Sequence, residues 1–138
     1  MALTLNRQTD YALQFLAALA RLPEGESLSL AVFAKQGRVS FLFLQRIAKK
    51  LRTAGLITAE KGRLGGYKLA RVSQAITVLD VAEALEGKMA VVPCIKKTSD
   101  CPHAAVCQTR TSFHTINSYI QKYLHSIPLS ELGKKTVS

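Results

Sequence analysis

The stretch that decides the fold is residues 29–70, SLAVFAKQGRVSFLFLQRIAKKLRTAGLITAEKGRLGGYKLA. Its first part predicts a two-turn helix with Ser29 as N-cap and Gly37 as C-terminal stop. After a short turn, Ser40 caps a second helix that ends at Gly55. Two helices joined by a tight turn predict a helix-turn-helix. The apolar side of the second helix has the i, i+3, i+4, i+7 spacing through Leu44, Ile47, Ala48 and Leu51.

A β-hairpin is predicted directly after these helices. Residues 56–60 and 67–70 read as short strands, and the segment between them, KGRLGG, is rich in glycine. Glycine supplies the positive-φ positions that tight hairpin turns require. A hairpin that follows a helix-turn-helix in this way forms a wing.

Positive charge is concentrated on the same stretch. The 138-residue chain carries a net charge of +10, and residues 35–71 hold ten Lys or Arg against one acidic residue, Glu60. Such a local surplus indicates a polyanionic partner, because Lys and Arg that neutralise phosphates release counterions. An anionic membrane surface fits the charge but not the wing, so duplex DNA is the predicted partner.

The outer face of the second predicted helix suits the DNA major groove. At 3.6 residues per turn, positions 42, 45, 46 and 49 point away from the apolar side. Gln pairs with adenine, Arg or Lys pairs with guanine, and an exposed Leu meets a thymine methyl group. The alternative is that these are ordinary solvated charges. The predicted DNA-binding residues are Ser40, Leu42, Gln45, Arg46 and Lys49 on the helix, with Lys50, Lys61 and Arg63 on phosphates or in the minor groove.

Helices are also predicted on either side of this unit, at residues 7–22 and 77–86, the second capped by Thr77. Between residues 89 and 107 the periodicity breaks, and this loop contains all three cysteines. Beyond it, apolar residues recur every three or four positions, which predicts a long amphipathic helix. They are Phe113, Ile116, Ile120, Tyr123, Leu124 and Ile127.

The predicted fold class is mainly α with a small β-hairpin wing, a winged helix-turn-helix followed by a long C-terminal dimerisation helix. We expect residues 1–87 to form the winged helix-turn-helix DNA-binding domain, residues 88–108 a cysteine loop that binds a cluster, and residues 109–138 the dimerisation helix and tail. The apolar stripe of the last helix needs a cover, and a symmetric copy of itself is the simplest one. A homodimer is therefore predicted.

Three cysteines, Cys94, Cys101 and Cys107, are separated by six and five residues. The sequence shows no signal peptide or transmembrane pattern, which predicts a cytoplasmic protein. Cysteines in that reducing compartment are more often ligands or reactive thiols than disulfides. Thiolates in an irregular loop converge readily on one centre, and their spacing alone fits zinc as well as an iron–sulfur cluster.

Four sequence motifs are similar to those of a known protein family: TDYAL at residues 9–13, LRTAGLI at 51–57, KGRLGGYKLA at 61–70 and ALEG at 84–87. With them the chain resembles the Rrf-two family of bacterial winged-helix regulators over nearly its whole length. The resemblance implies a dimer that crosses through its C-terminal helix, with one helix-turn-helix and wing on each half-site. It also implies an iron–sulfur cluster, 2Fe-2S or 4Fe-4S, on the three cysteines. The family usually has five residues in each gap, so the first gap here is one residue longer.

The resemblance also suggests a fourth ligand, because typical clusters take four protein ligands. In one branch of the family this ligand is a His three residues after the last cysteine, where this chain has Arg110. In another branch it is an Asp near the start of the first helix, donated by the other subunit, and the matching residue is Asp10. Asp10 is the leading candidate, and His103 and His114 are the alternatives. The alternative explanation for Asp10 is that its carboxylate lies near the N-terminus of the first helix only because the helix dipole stabilises it there.

Together these features predict a transcription repressor whose operator binding is controlled by an iron–sulfur cluster that senses nitric oxide, redox state or iron supply. The alternative is a cluster-free regulator that senses through thiol oxidation or a protein partner. No membrane and no small organic substrate are expected. Lys96 and Lys97 near Cys94 favour a reactive thiolate, but the chain has no Cys-x-x-Cys motif, so an enzyme is not expected.

Overall fold

The computed structural model describes residues 6–60, 65–88 and 108–132. The predicted mainly α fold with a small β-hairpin and a long C-terminal helix is confirmed. In chain order its elements are α1 (Arg7–Ala20), α2 (Leu30–Gly37), α3 (Phe41–Thr53), β1 (Ile57–Glu60), β2 (Gly66–Leu69), α4 (Val78–Glu86) and α5 (Arg110–His125), with short 3-10 turns at Ser73–Ala75 and Leu129–Glu131.

Side-chain caps fix the starts of the helices. Ser29 and Ser40 each accept a hydrogen bond from the backbone N–H three residues further on, at the starts of α2 and α3. Thr77 and Asp80 form a reciprocal capping box on α4. The predicted caps at these three positions are confirmed, and α1 is capped by Asn6.

The turn between α2 and α3 differs from the prediction. Gly37 was expected to stop α2, but it lies within the helix, and the left-handed residue is Arg38 with φ 53°. The N–H of Val39 bonds to Ala34 O at 3.0 Å, and Val39 packs against the core. This is a Schellman closure, which places the left-handed residue just before the apolar anchor. The position of Val39, rather than the residue type at 38, therefore sets the turn.

The wing is anchored to the helix-turn-helix by a contact that the sequence pattern did not predict. Leu28, just before α2, forms an antiparallel bridge with Tyr67 of β2, with N···O distances of 2.9 and 2.8 Å. The neighbouring residue, Gly66, allows this approach because a Cβ atom there would lie 2.6 Å from Leu28 O. Leu28 thus extends the hairpin by one bridge.

The core lies between α1, α3, α4 and the hairpin. Its fully buried side chains include Phe15, Leu16, Leu44, Ile47, Leu51, Leu56, Ile57, Ile76 and Val81. After α5 the chain returns to this core, where Leu129 is 2% exposed and its N–H bonds to Ile76 O at 2.8 Å. The short 3-10 turn at Leu129–Glu131 therefore begins with a side chain that is packed into the winged-helix core.

Helix α5 packs against α4 on one side. On the other side two residues of the predicted apolar stripe, Ile116 and Tyr123, are exposed at 46% and 68%, and Tyr119, which was not part of that prediction, is exposed beside them at 69%. Phe113, Ile120 and Leu124 are half-buried. Some apolar residues of α5 are therefore partly covered within the chain, and the others are exposed on the open face of the helix.

Candidate DNA interface and loop junction

The outer face of α3 is arranged as the sequence predicted. Leu42 is 70% exposed, and Gln45, Arg46 and Lys49 are also exposed. On the opposite side Leu44, Ile47 and Leu51 are fully buried, which fixes the rotation of the helix. Ser40 is exposed at the start of α3, and its Oγ accepts from the N–H of Phe43 at 3.3 Å. Since α3 carries no acidic residue, this face presents cations, apolar groups and neutral hydrogen-bonding groups without negative charge.

A groove of about 290 Å³ separates the start of α3 from the wing. Its lining includes Phe41, Gln45, Gly66 and Tyr67. Glu60, the acidic residue of the basic stretch, also lines it. The Glu60 carboxylate pairs with Lys68 on the neighbouring strand at 2.5 Å, so the acid on this side of the interface is neutralised.

A second groove, of about 520 Å³, lies on the other flank of α3, against α1 and α4. Here the ammonium of Lys50 donates to Gln8 Oε1 at 2.9 Å and to Leu85 O at 3.3 Å. Leu85 lies in the last turn of α4, where a cation interacts favourably with the helix dipole. Its exposed side chain thus places the ammonium at the junction of three helices, and the contact of Lys50 with a DNA phosphate or the minor groove stays a prediction.

Another contact joins α1 and α4 at the same junction. Thr9 is fully buried, and its hydroxyl donates to Glu86 Oε2. Glu86 is the last residue of α4, and Gly87 follows with φ 81°. The start of α1 is therefore held on the end of α4, where residues 88 onwards lead into the cysteine-containing segment.

Asp10, the candidate fourth ligand, follows Thr9 in α1. Its side chain is exposed, and Oδ1 accepts from Gln14 Nε2 at 3.1 Å. A solvent-accessible carboxylate of this kind is available to a metal or cluster brought against it. His114 is exposed on α5, in a shallow groove beside Tyr119 and Lys122.

The remaining predicted site residues, Lys61 and Arg63 of the wing and Cys94, Cys101, Cys107 and His103 of the loop, lie outside the described residues. Within residues 6–60, 65–88 and 108–132, no group of three or more His, Cys, Asp or Glu side chains is placed to hold a metal ion. The ligand set thus stays a prediction from the sequence.

Several residues at these sites were not predicted from the sequence. Phe41 borders the wing-side groove. Its position directly after the Ser40 cap could have indicated that it lies at the exposed start of the second helix. Thr9 and Glu86 belong to the TDYAL and ALEG motifs. Their hydrogen bond joins distant parts of the chain, so the periodicity of the sequence could not predict it. Nothing in the local pattern distinguished Lys50 from Lys49.

A basic helix-turn-helix with an adjoining wing defines a winged-helix DNA-binding protein. Residues 5–135 match the Rrf2 family, described as an iron-dependent transcriptional regulator. This is the family that the sequence motifs resemble. The chain therefore belongs to the Rrf2 family and is a DNA-binding transcriptional regulator.

Relatives with known names agree with this assignment. Protein rrf2 of Nitratidesulfovibrio vulgaris is 32% identical over 128 residues, covering 93% of this chain and 85% of the relative. The regulator IscR of Vibrio cholerae is 30% identical, covering 93% and 73%. The solved structure of CymR, the global cysteine regulator of B. subtilis, superposes with a TM-score of 0.77 at 27% identity, covering 98% and 99%.

The family and the relative IscR are described as transcriptional regulators, which confirms the expectation that this chain is not an enzyme. No helix in the described part of the chain has the length and apolar content needed to cross a membrane.

Proposed function

We propose that this chain is a cytoplasmic, homodimeric repressor whose α3 reads the major groove of operator DNA under the control of an iron–sulfur cluster. The observation that carries the proposal is the outer face of α3, where Leu42, Gln45, Arg46 and Lys49 are exposed together beside the wing. In helix-turn-helix proteins the second helix enters the major groove in this way. Residues 1–87 form the DNA-binding domain in this proposal, with Lys61 and Arg63 of the wing on the DNA backbone or in the minor groove.

The dimer forms through α5, within the segment 109–138. Ile116, Tyr119 and Tyr123 line its open face, and a second copy of the same stripe buries them by two-fold symmetry. Two-fold pairing sets the two α3 helices on half-sites of a palindromic operator. The exposed stripe supports this arrangement because large apolar side chains grouped on one helix face favour a protein contact.

The cluster, 2Fe-2S or 4Fe-4S, is assigned to the loop of residues 88–108. Cys94, Cys101 and Cys107 are its thiolate ligands, and Asp10 of the partner subunit is the fourth ligand, with His103 and His114 as alternatives. The exposure of Asp10 and the iron-dependent description of the family support this set. When bound, the cluster supplies a centre that nitric oxide, oxidants or iron scarcity can destroy.

The residues of the junction supply the route from the loop to the DNA. Glu86 bonds to Thr9, which precedes Asp10, so the end of α4 and the start of α1 move together. Lys50 bonds both to Gln8 and to Leu85 O, and it belongs to α3. A displacement of this junction on loss of the cluster is therefore passed to the reading helix.

A second candidate is a cluster-free regulator that senses through thiol oxidation or a protein partner. The structural similarity to CymR, a global cysteine regulator, favours it. In that case the three cysteines act as reactive thiols and the DNA-reading face is unchanged.

The test is purification without oxygen, followed by the visible absorption spectrum and the iron and sulfide content. Wild type is expected to carry stoichiometric iron and sulfide, Asp10→Ala to lose cluster absorption, and Glu24→Ala, an exposed acid elsewhere, to match wild type. Colourless wild-type protein with zinc or no metal would reject the cluster and favour the second candidate. An unchanged spectrum in Asp10→Ala would reject Asp10 and leave the two histidines.

A further inference from the structure

The first turn of α3 exposes two large apolar side chains. Phe41 and Leu42 are its first two residues and are 43% and 70% exposed. Among the described residues outside α5, the other large apolar side chains with comparable exposure are Val32 and Val72. Two such side chains, adjacent at the start of a basic helix, are available for an apolar contact with a partner.

The core does not account for these two residues. Its α3 contribution comes from Leu44, Ile47 and Leu51, and the next aromatic residue, Phe43, packs edge-on against Tyr11 with ring centroids 5.9 Å apart. Phe41 instead lines the groove between α3 and the wing. Its side chain therefore borders the space that a ligand of α3 would enter.

The surrounding chemistry identifies the occupant. Gln45, Arg46 and Lys49 follow within two turns and are all exposed, and α3 carries no acidic residue. A partner must then offer small apolar groups flanked by hydrogen-bond acceptors and negative charge. The major groove of DNA does this, since the thymine C5 methyl groups lie among base acceptors and between two phosphate backbones.

We propose that Phe41 is a further specificity-determining residue, which contacts a thymine methyl group in the operator half-site next to the one that Leu42 is predicted to meet. The proposal rests on the proposed function, in which α3 enters the major groove. Adjacent helix positions differ by about 100° in direction. Leu42 therefore lies at the centre of the exposed face and Phe41 on its wing side, so the two side chains meet methyl groups of different base pairs.

The experiment replaces thymine by deoxyuridine, which removes the methyl group and keeps the base pairing. A duplex is selected from a random library by anaerobically purified wild-type protein, and Kd is measured with each thymine substituted in turn. At each contacted position we expect binding to weaken about three- to fivefold, the equivalent of one buried methyl group. Leu42→Ala and Phe41→Ala are each expected to lose the thymine preference at one position, whereas Val72→Ala, 67% exposed outside the helix-turn-helix, keeps both.

The outcomes separate this inference from the proposed function. Tight, salt-dependent binding with equal affinity for thymine and deoxyuridine duplexes would overturn the methyl contacts and leave the regulator standing. Variants that change the oligomeric state but not the thymine preference would assign the apolar tip to a protein contact and overturn the inference. Failure to bind any duplex would overturn both proposals. Because Leu42 is 70% exposed, thermal unfolding of Leu42→Ala is expected to match wild type, and the same measurement shows that Phe41→Ala is folded at the temperature of the binding assay.

Discussion

The hydroxyl of Thr9 donates a hydrogen bond to Glu86 Oε2, and this contact joins the start of α1 to the last residue of α4. The two residues are 77 positions apart in the chain. Thr9 is fully buried. Asp10, the candidate ligand, follows Thr9 in the chain, and Gly87 follows Glu86 and leads towards the cysteines. The bond therefore holds these two positions close to each other.

Thr9→Val tests the weight of this bond, because it removes the donor and keeps the shape of the side chain. We expect the free energy of unfolding to fall by about 1.5–3 kcal/mol, the usual effect of losing a hydrogen bond to a charged group. Urea unfolding measures the change. Thr9→Ser keeps the hydroxyl and is expected to lose less, so equal stability of wild type and Thr9→Val would show that the bond contributes nothing.

Gly66 tests the anchoring of the wing. An alanine Cβ there would lie 2.6 Å from Leu28 O and 3.0 Å from Ser29 N, both backbone atoms that cannot move away cheaply. We expect Gly66→Ala to cost about 1–3 kcal/mol of stability, as overpacking does, and to weaken DNA binding. Gly37→Ala is the matched control, since its Cβ would meet Val39 Cγ2 at 3.4 Å, an ordinary contact. If the two variants were equally stable, the Leu28 bridge would not hold the wing.

The adjacent lysines of α3 are expected to differ in DNA binding. Both side chains are exposed, but Lys49 lies on the outer face, whereas the Lys50 ammonium is bonded to Gln8 and Leu85 O on the flank towards α1 and α4. Lys49→Met should reduce the slope of log K against log salt by about 0.9, the loss of one phosphate contact. Lys50→Met should change this slope by less than half as much and instead lower stability. Fluorescence anisotropy across a salt series gives both slopes, and identical slopes for the two variants would contradict the assignment.

Leu129 tests whether the segment after α5 belongs to the winged-helix core. Its side chain is 2% exposed and its N–H bonds to Ile76 O. Leu129→Ala is expected to cost about 2–4 kcal/mol, as for other buried leucines. Val72→Ala, at a side chain that is 67% exposed, should leave the unfolding midpoint within error. A small effect at Leu129 would mean that this segment is only loosely attached.

Local sequence signals predicted most of the fold. The caps Ser29, Ser40 and Thr77 and the apolar spacing of α3 act over three to seven residues, so they can be read without knowing the tertiary structure. The exposed face of α3 followed from the same periodicity. Arg38 was the exception, because the turn is set by the packing of Val39 rather than by the residue that adopts the left-handed conformation.

Long-range contacts could not be predicted in this way. The Thr9 to Glu86 bond, the Leu28 to Tyr67 bridge and the return of Leu129 to Ile76 each join residues at least 39 positions apart. Such contacts leave no periodic pattern, since each depends on where the core brings two elements together. The same reason explains why the contacts of Lys50 with α1 and α4 were not predicted.

The central claim is that the loop cluster controls the reading helix, and one comparison tests it most directly. Kd for the selected duplex is measured without oxygen for protein as purified and for the same protein after removal of its iron by a chelator. We predict affinities that differ by about tenfold or more, within the usual range of coupling between two sites. Equal affinities for the two forms, with tight and salt-dependent binding in both, would contradict control by the cluster.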